Sequence, residues 1–196
     1  MSGITGSKKL TFVALMAALG NVLSYLSIRL TPLMPSIPLG PVNVSMALDL
    51  SHVATFIAAF FGGPTIGGIT ALIAGLVAAF EFGFSQGNLL TGFLLPIGKA
   101  LTGVAAGLLL TKLNVDRDRK MMLVITVLSY IPEGALTAFL FIRIYPVVYG
   151  MPTFIATAIA VQILVKAFVE MIVMGVMMMS LTGNEGFTGY IRGLIS

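Results

Sequence analysis

Apolar residues run along this chain in blocks of about 20, the length a helix needs to cross a bilayer, and Pro, Gly or clustered charge separates the blocks. The pattern predicts six helices, at about 9–29, 43–61, 64–80, 88–111, 121–145 and 153–182. Phe61-Gly62-Gly63-Pro64 predicts a very tight turn between the second and third. Thr31-Pro32-Leu33-Met34-Pro35-Ser36-Ile37-Pro38-Leu39-Gly40-Pro41 holds too many prolines to continue a helix. It reads as an ordered loop, still apolar enough to fold back over something. The expectation is an all-α polytopic membrane protein, a bundle of six transmembrane helices forming one domain over residues 1–196.

Charge placement orients the bundle. With a cytoplasmic N-terminus, Lys8, Lys9, Lys112, Arg117, Arg119, Lys120 and Arg192 all fall inside, and only Arg29 and Arg143 lie near the outer ends. That asymmetry is the one expected of cytoplasmic loops, so both termini are placed in the cytoplasm and the Pro-rich loop outside. Lys8 and Lys9 before an apolar run resemble a signal peptide, but the run continues past a usual h-region with no small-residue cleavage site. It reads as a retained first span.

Composition agrees with the bilayer reading. The chain is 58% hydrophobic and 9% charged, with a mean hydropathy of +1.06, too apolar for a soluble domain. The net charge of +4 follows membrane topology and does not suggest nucleic-acid binding. Cysteine is absent and His52 is the one histidine, so no metal site or cofactor is expected.

The candidate chemistry lies in charges that hydropathy disfavours. Lys99, Glu133, Lys166 and Glu170 sit inside apolar blocks, where each ionised group costs about 2.5–3.5 kcal/mol on insertion scales. Lys166 and Glu170 share one face of helix 6. With Lys99 on helix 4 and Glu133 on helix 5, the four can converge at one depth, giving a balanced site for a polar or zwitterionic small molecule, or a pair of salt bridges that only lock the bundle. Pro132 beside Glu133 frees the carbonyl of Leu128, a kink or a broken helix of the kind that builds transporter sites. Asp49 and His52 are placed near the outer end of helix 2, at hydrated depth, to start the helix or to touch a ligand. The aromatics after Glu81 read as an interfacial belt or as a lid. Gly98-Lys99-Ala100 imitates a Walker A loop, but the glycine spacing is long, Ala100 replaces the Ser/Thr, and no strand precedes it.

Small residues four apart mark close helix contacts: Ala14 and Ala18 on helix 1, Gly63, Gly67, Ala71 and Gly75 on helix 3, Gly103 and Gly107 on helix 4. For helices 3 and 4 internal packing is expected.

Three stretches carry a family resemblance: Phe12-Val13-Ala14-Leu15-Met16-Ala17-Ala18-Leu19; Leu48-Asp49-Leu50-Ser51-His52-Val53 followed by Phe60-Phe61-Gly62-Gly63-Pro64-Thr65-Ile66-Gly67; and Ile163-Leu164-Val165-Lys166-Ala167-Phe168-Val169-Glu170. Together they resemble the substrate-binding S components of energy-coupling factor (ECF) transporters, importers of vitamins and related nutrients, nearest to riboflavin-type members. The chain departs from that type at His52, where Asp is common, and at Ile163, where an Asn is common and Gln162 stands alongside. It also lacks the Trp of a thiamine-type pocket. The resemblance implies a binding subunit of the prokaryotic cell membrane, not an enzyme, with substrate held by Lys99, Glu133, Lys166, Glu170, Asp49 and Gln162. It further implies that Ala14 and Ala18 face a transmembrane T component, with ATP hydrolysed by two partner ATPase subunits. A solitary proton-coupled secondary transporter using Glu133 or Glu170, and a membrane-embedded enzyme using the carboxylates as acid and base, are the competing readings.

Overall fold

A computed structural model describes residues 6–34, 36–39, 42–45, 48–113 and 119–195. Helix α1 (Ser7–Leu30) is followed by a short hairpin of strands β1 (Ser36–Leu39) and β2 (Val42–Ser45), paired antiparallel with Ser36 opposite Ser45 and Leu39 opposite Val42. Then come α2 (Ser51–Ala74), α3 (Leu76–Phe82), α4 (Leu89–Lys112), α5 (Arg119–Ser129), α6 (Ile131–Phe139), α7 (Tyr145–Tyr149), α8 (Thr153–Thr182) and α9 (Glu185–Ile195).

Among the described residues five helical segments are long and apolar enough to cross a membrane: Ser7–Leu33, Ser51–Gln86, Leu89–Lys112, Lys120–Tyr149 and Thr153–Thr182. The second supplies two passes, because α2 folds back on itself. Gly63 has φ +83, and a Cβ on Gly67 would stand 2.6 Å from that of Ala59. Residues that far apart in a continuous helix would be separated by about 12 Å. Only glycine adopts such a φ without strain, and Pro64 then opens the returning arm. The protein is therefore a polytopic helical membrane bundle with six passes.

Glycines set its tightest seam. The returning arm of α2 packs on α4 with Gly67 against the backbone of Gly103, and Gly107 against Gly63 and Pro64. A side chain at Gly67, Gly103 or Gly107 would meet backbone, so the small-residue stripes of helices 3 and 4 serve internal packing. The apolar core (Phe12, Phe56, Met171, Met174, Met178 and Ile191 among others) fills the half of the bundle nearer the termini.

Three expectations need correction. Helix 2 does not begin at 43: residues 42–45 are strand, and the helix starts at Ser51. This extended stretch pairs with residues 36–39 in place of forming a helix. Helix 5 is broken at Tyr130, the break expected beside Pro132, but it also contains a π turn at Leu140–Ile144 just before Pro146 that its expected bounds do not foresee. Proline withholds a donor and re-routes the ladder at both places. The amphipathic helix α9 follows the last span and was not anticipated; its Phe187 packs edge-on to Phe61 at 6.1 Å. Pro35, Gly40 and Pro41 of the expected outer loop, and Arg117 of the charged loop, lie outside the described residues.

Candidate functional site

Opposite the packed core lies a cavity of about 540 Å³. Its walls come from α1 (Ser24, Ser27, Ile28), α3 (Ala78, Phe82), α4 (Leu94, Gly98, Lys99), α6 (Glu133, Leu136, Thr137) and α8 (Ile163, Lys166, Glu170), with Asp49 and His52 at the start of α2. The site thus draws on more elements than helices 4, 5 and 6.

The short first arm of α2 starts deep in the bundle, and this moves Asp49 from the hydrated rim to the interior. Lys99, 2% exposed, reaches Asp49 Oδ2 at 2.6 Å and donates to Ser51 Oγ at 2.5 Å. The other carboxylate oxygen of Asp49 accepts from the backbone N–H of Ser51 at 3.0 Å, a turn that leads into α2. The backbone N–H of Asp49 donates to Glu170 Oε1 at 2.9 Å. Lys166 Nζ stands 3.3 Å from the same oxygen. A single chain of polar contacts therefore links α4 to α8 through the segment before α2. In a low-dielectric interior such a chain is stable only when each member is satisfied.

Glu133 stands apart from that chain. It lies in the first turn of α6, where the interrupted helix offers N–H groups and a favourable dipole to a carboxylate. Across the interrupted backbone Tyr130 N bonds Val127 O at 3.3 Å, three residues back. Oε2 of Glu133 accepts from Thr102 Oγ1 at 2.5 Å. Thr102 lies one turn beyond Lys99, so one face of α4 serves both acidic groups.

Of the six residues expected to hold substrate, Lys99, Glu133, Lys166, Glu170 and Asp49 line the cavity. Gln162 does not; its neighbour Ile163 does. His52 is 4% exposed, stacks on Phe56 at 6.1 Å, and turns its ring to the same cavity. Among the aromatics after Glu81, Phe82 lines the cavity while Phe84 packs edge-on to Phe93 at 5.1 Å. Ala14 and Ala18 lie on the exposed face of α1, opposite buried Phe12, Val13 and Ala17.

The mouth residues escaped sequence reasoning. Tyr145 OH accepts from Asn88 Nδ2 at 2.5 Å and bonds Thr91 Oγ1, and Tyr149 OH donates to Asn88 Oδ1 at 2.9 Å. These bonds tie the start of α4 to α7. Phe141 stacks on Tyr145 at 4.4 Å beneath them. The serines of α1 left a legible signal: Ser24, Ser27 and Thr31 repeat at helical spacing on an otherwise apolar helix. Among the described residues no three His, Asp or Glu side chains gather as a metal-binding set.

No family model matches the chain, and no curated protein matches it in sequence. Two solved structures share its architecture. One is the S component for biotin from an ECF-type ABC transporter, 22% identical with a TM-score of 0.57, the match covering 98% of this chain and 100% of that one. The other is the S component of a bacterial ECF transporter, 21% identical with a TM-score of 0.56, covering 90% and 96% respectively. The fold of this chain is the fold of those S components, end to end.

Proposed function

We propose that the chain is the substrate-binding subunit of an ECF-type importer, holding a small nutrient in the cavity and handing it inward when ATPase partners drive the complex. The observation that carries this reading is the cavity itself. It is lined by a chain of ionic contacts among the membrane-spanning helices, within a fold shared by two S components along almost the full chain. Ionisable groups kept in a membrane interior are a functional site by default. The exposed Ala14 and Ala18 would admit a second helix at close range, which suits docking of a transmembrane T component. Lys8, Lys9, Lys112, Lys120 and Arg192 cluster at the end that bears the termini, which supports a cytoplasmic placement for both in a prokaryotic cell membrane.

Mass spectrometry of the compound that co-purifies in mild detergent identifies the cargo. Uptake of that compound into liposomes should then require the T component, both ATPases and ATP. Uptake by the chain alone, collapsed by a protonophore, would assign it instead to proton-coupled transport. Chemical turnover of the compound would make it an enzyme.

A further inference from the structure

The charges of the cavity do not balance. Its acidic side chains are Asp49, Glu133 and Glu170, and its basic ones are Lys99 and Lys166. Both ammonium groups are engaged already, Lys99 by Asp49 and Ser51 and Lys166 by Glu170. Glu133 has the Thr102 hydroxyl, and among the described residues it forms no ion pair. The segment 35–47, whose side chains lie outside the described set, contains no Lys or Arg and so brings no cation. An ionised carboxylate in such a place is costly without a counter-charge.

His52 also lines this space. Nδ1 of His52 is buried with no hydrogen-bond partner among the described residues. The rest of the wall suits a flat apolar body. Leu94, Leu136 and Leu140 line it, and Phe141 and Tyr145 form a stacked pair.

We propose that the cavity takes a small organic cation: a protonated amine, amidinium or aminoheterocycle whose N–H group sits on Glu133 and whose flat body lies against Phe141 and Tyr145. The inference rests on the binding role proposed above and specifies its cargo. An anionic guest would need an ammonium that Glu170 or Asp49 already holds, and would add to the excess of negative charge. A cation removes that excess and supplies Glu133 with the charge-assisted bond it lacks.

Three aryl probes of nearly equal size and different charge test this: benzamidinium, benzamide and benzoate. Saturation-transfer NMR on the full chain in nanodiscs of zwitterionic lipid reads their affinities. Benzamidinium should bind about tenfold or more tighter than benzoate, the effect of one charge-assisted bond. Glu133→Gln, which keeps the bond from Thr102, should erase that preference. Benzoate binding as well as benzamidinium, or a preference that survives Glu133→Gln, would overturn the inference and leave the binding role standing. Gly98→Leu separates the two levels, because a side chain there grows toward Glu133, whose Cγ lies 3.2 Å from the new Cβ position. Transfer to none of the three probes, or transfer that Gly98→Leu leaves unchanged, would overturn the cavity as a binding site and this inference with it.

Discussion

Lys99 and Asp49 lie 50 positions apart in sequence, yet their charged atoms meet at 2.6 Å in the middle of the bundle. Removing one partner strands the other charge inside the bundle. Asp49→Asn or Lys99→Met alone should each cost about 3–5 kcal/mol. The double variant should recover much of that loss, because no charge is left behind. Thermal unfolding in detergent of the two single variants and the double closes the cycle. A double variant as unstable as the sum of the singles would mean that the pair is not coupled.

Lys166 differs from Lys99 in being open to the cavity, with a side chain 34% exposed. Lys166→Ala removes a like charge from the cavity and frees Glu170 of its ion pair, so it should tighten binding of a cationic cargo severalfold. Val165→Ala, on the outward face, should change affinity little. Titration calorimetry compares them, and equal affinities would make Lys166 a structural partner of Glu170.

Ala14→Trp and Ala18→Trp should block assembly with a T component and leave cavity binding intact. Both positions face outward from α1, while the cavity is lined from Ser24 onward. Co-purification with the T and ATPase subunits, paired with binding by the isolated protein, reads both halves. Assembly and uptake at wild-type levels would leave the stripe facing lipid.

Tyr145→Phe deletes the hydroxyl that joins Asn88 and Thr91 at the mouth. Each lost bond is worth about 0.5–1.5 kcal/mol. The change should speed release of the bound compound by severalfold with little effect on the contacts below. Stopped-flow dissociation measures it, and an unchanged off-rate would remove the mouth network from the release path.

Gly67→Val should be among the most damaging single changes. A Cβ at Gly67 stands 2.7 Å from Ala59 Cα and 2.8 Å from Gly103 O, so the hairpin and α4 must separate. Overpacking of this kind costs about 1–3 kcal/mol, and more where backbone is the obstacle. Gly189→Ala in α9, which meets nothing within 4 Å, is the control and should be neutral or mildly stabilising. Comparable melting temperatures for the two would refute the close seam.

Much of this was legible because hydropathy penalises what function retains. Lys99, Glu133, Lys166 and Glu170 stood out as charges in apolar blocks, and all four line one cavity. Asp49 lies deeper than a helix starting at 43 implies, because the helix begins only at Ser51. The alternation in Val42-Asn43-Val44-Ser45 was the available hint of a strand. Helix α9 was equally available, with Phe187, Ile191 and Leu194 at helical spacing. The bonds of Tyr145 were not, because nothing local pairs it with residues more than 50 positions away. Periodicity finds faces of helices; it does not find which distant face arrives opposite.

The brevity of the first arm of α2 has a volumetric consequence. From Ser51 to Gly62 it is about 18 Å long, where a hydrocarbon core is about 30 Å thick. Over the remaining 12 Å or so the bundle lacks one helix, and a helical rod of that length occupies about 900 Å³. The 540 Å³ cavity adjoins Asp49 and His52, where that short arm begins. A bound guest then completes the packing of the bundle, so occupancy should register as resistance to unfolding. For the same reason, substitutions that thicken the surrounding walls would firm the empty protein at the expense of its cargo.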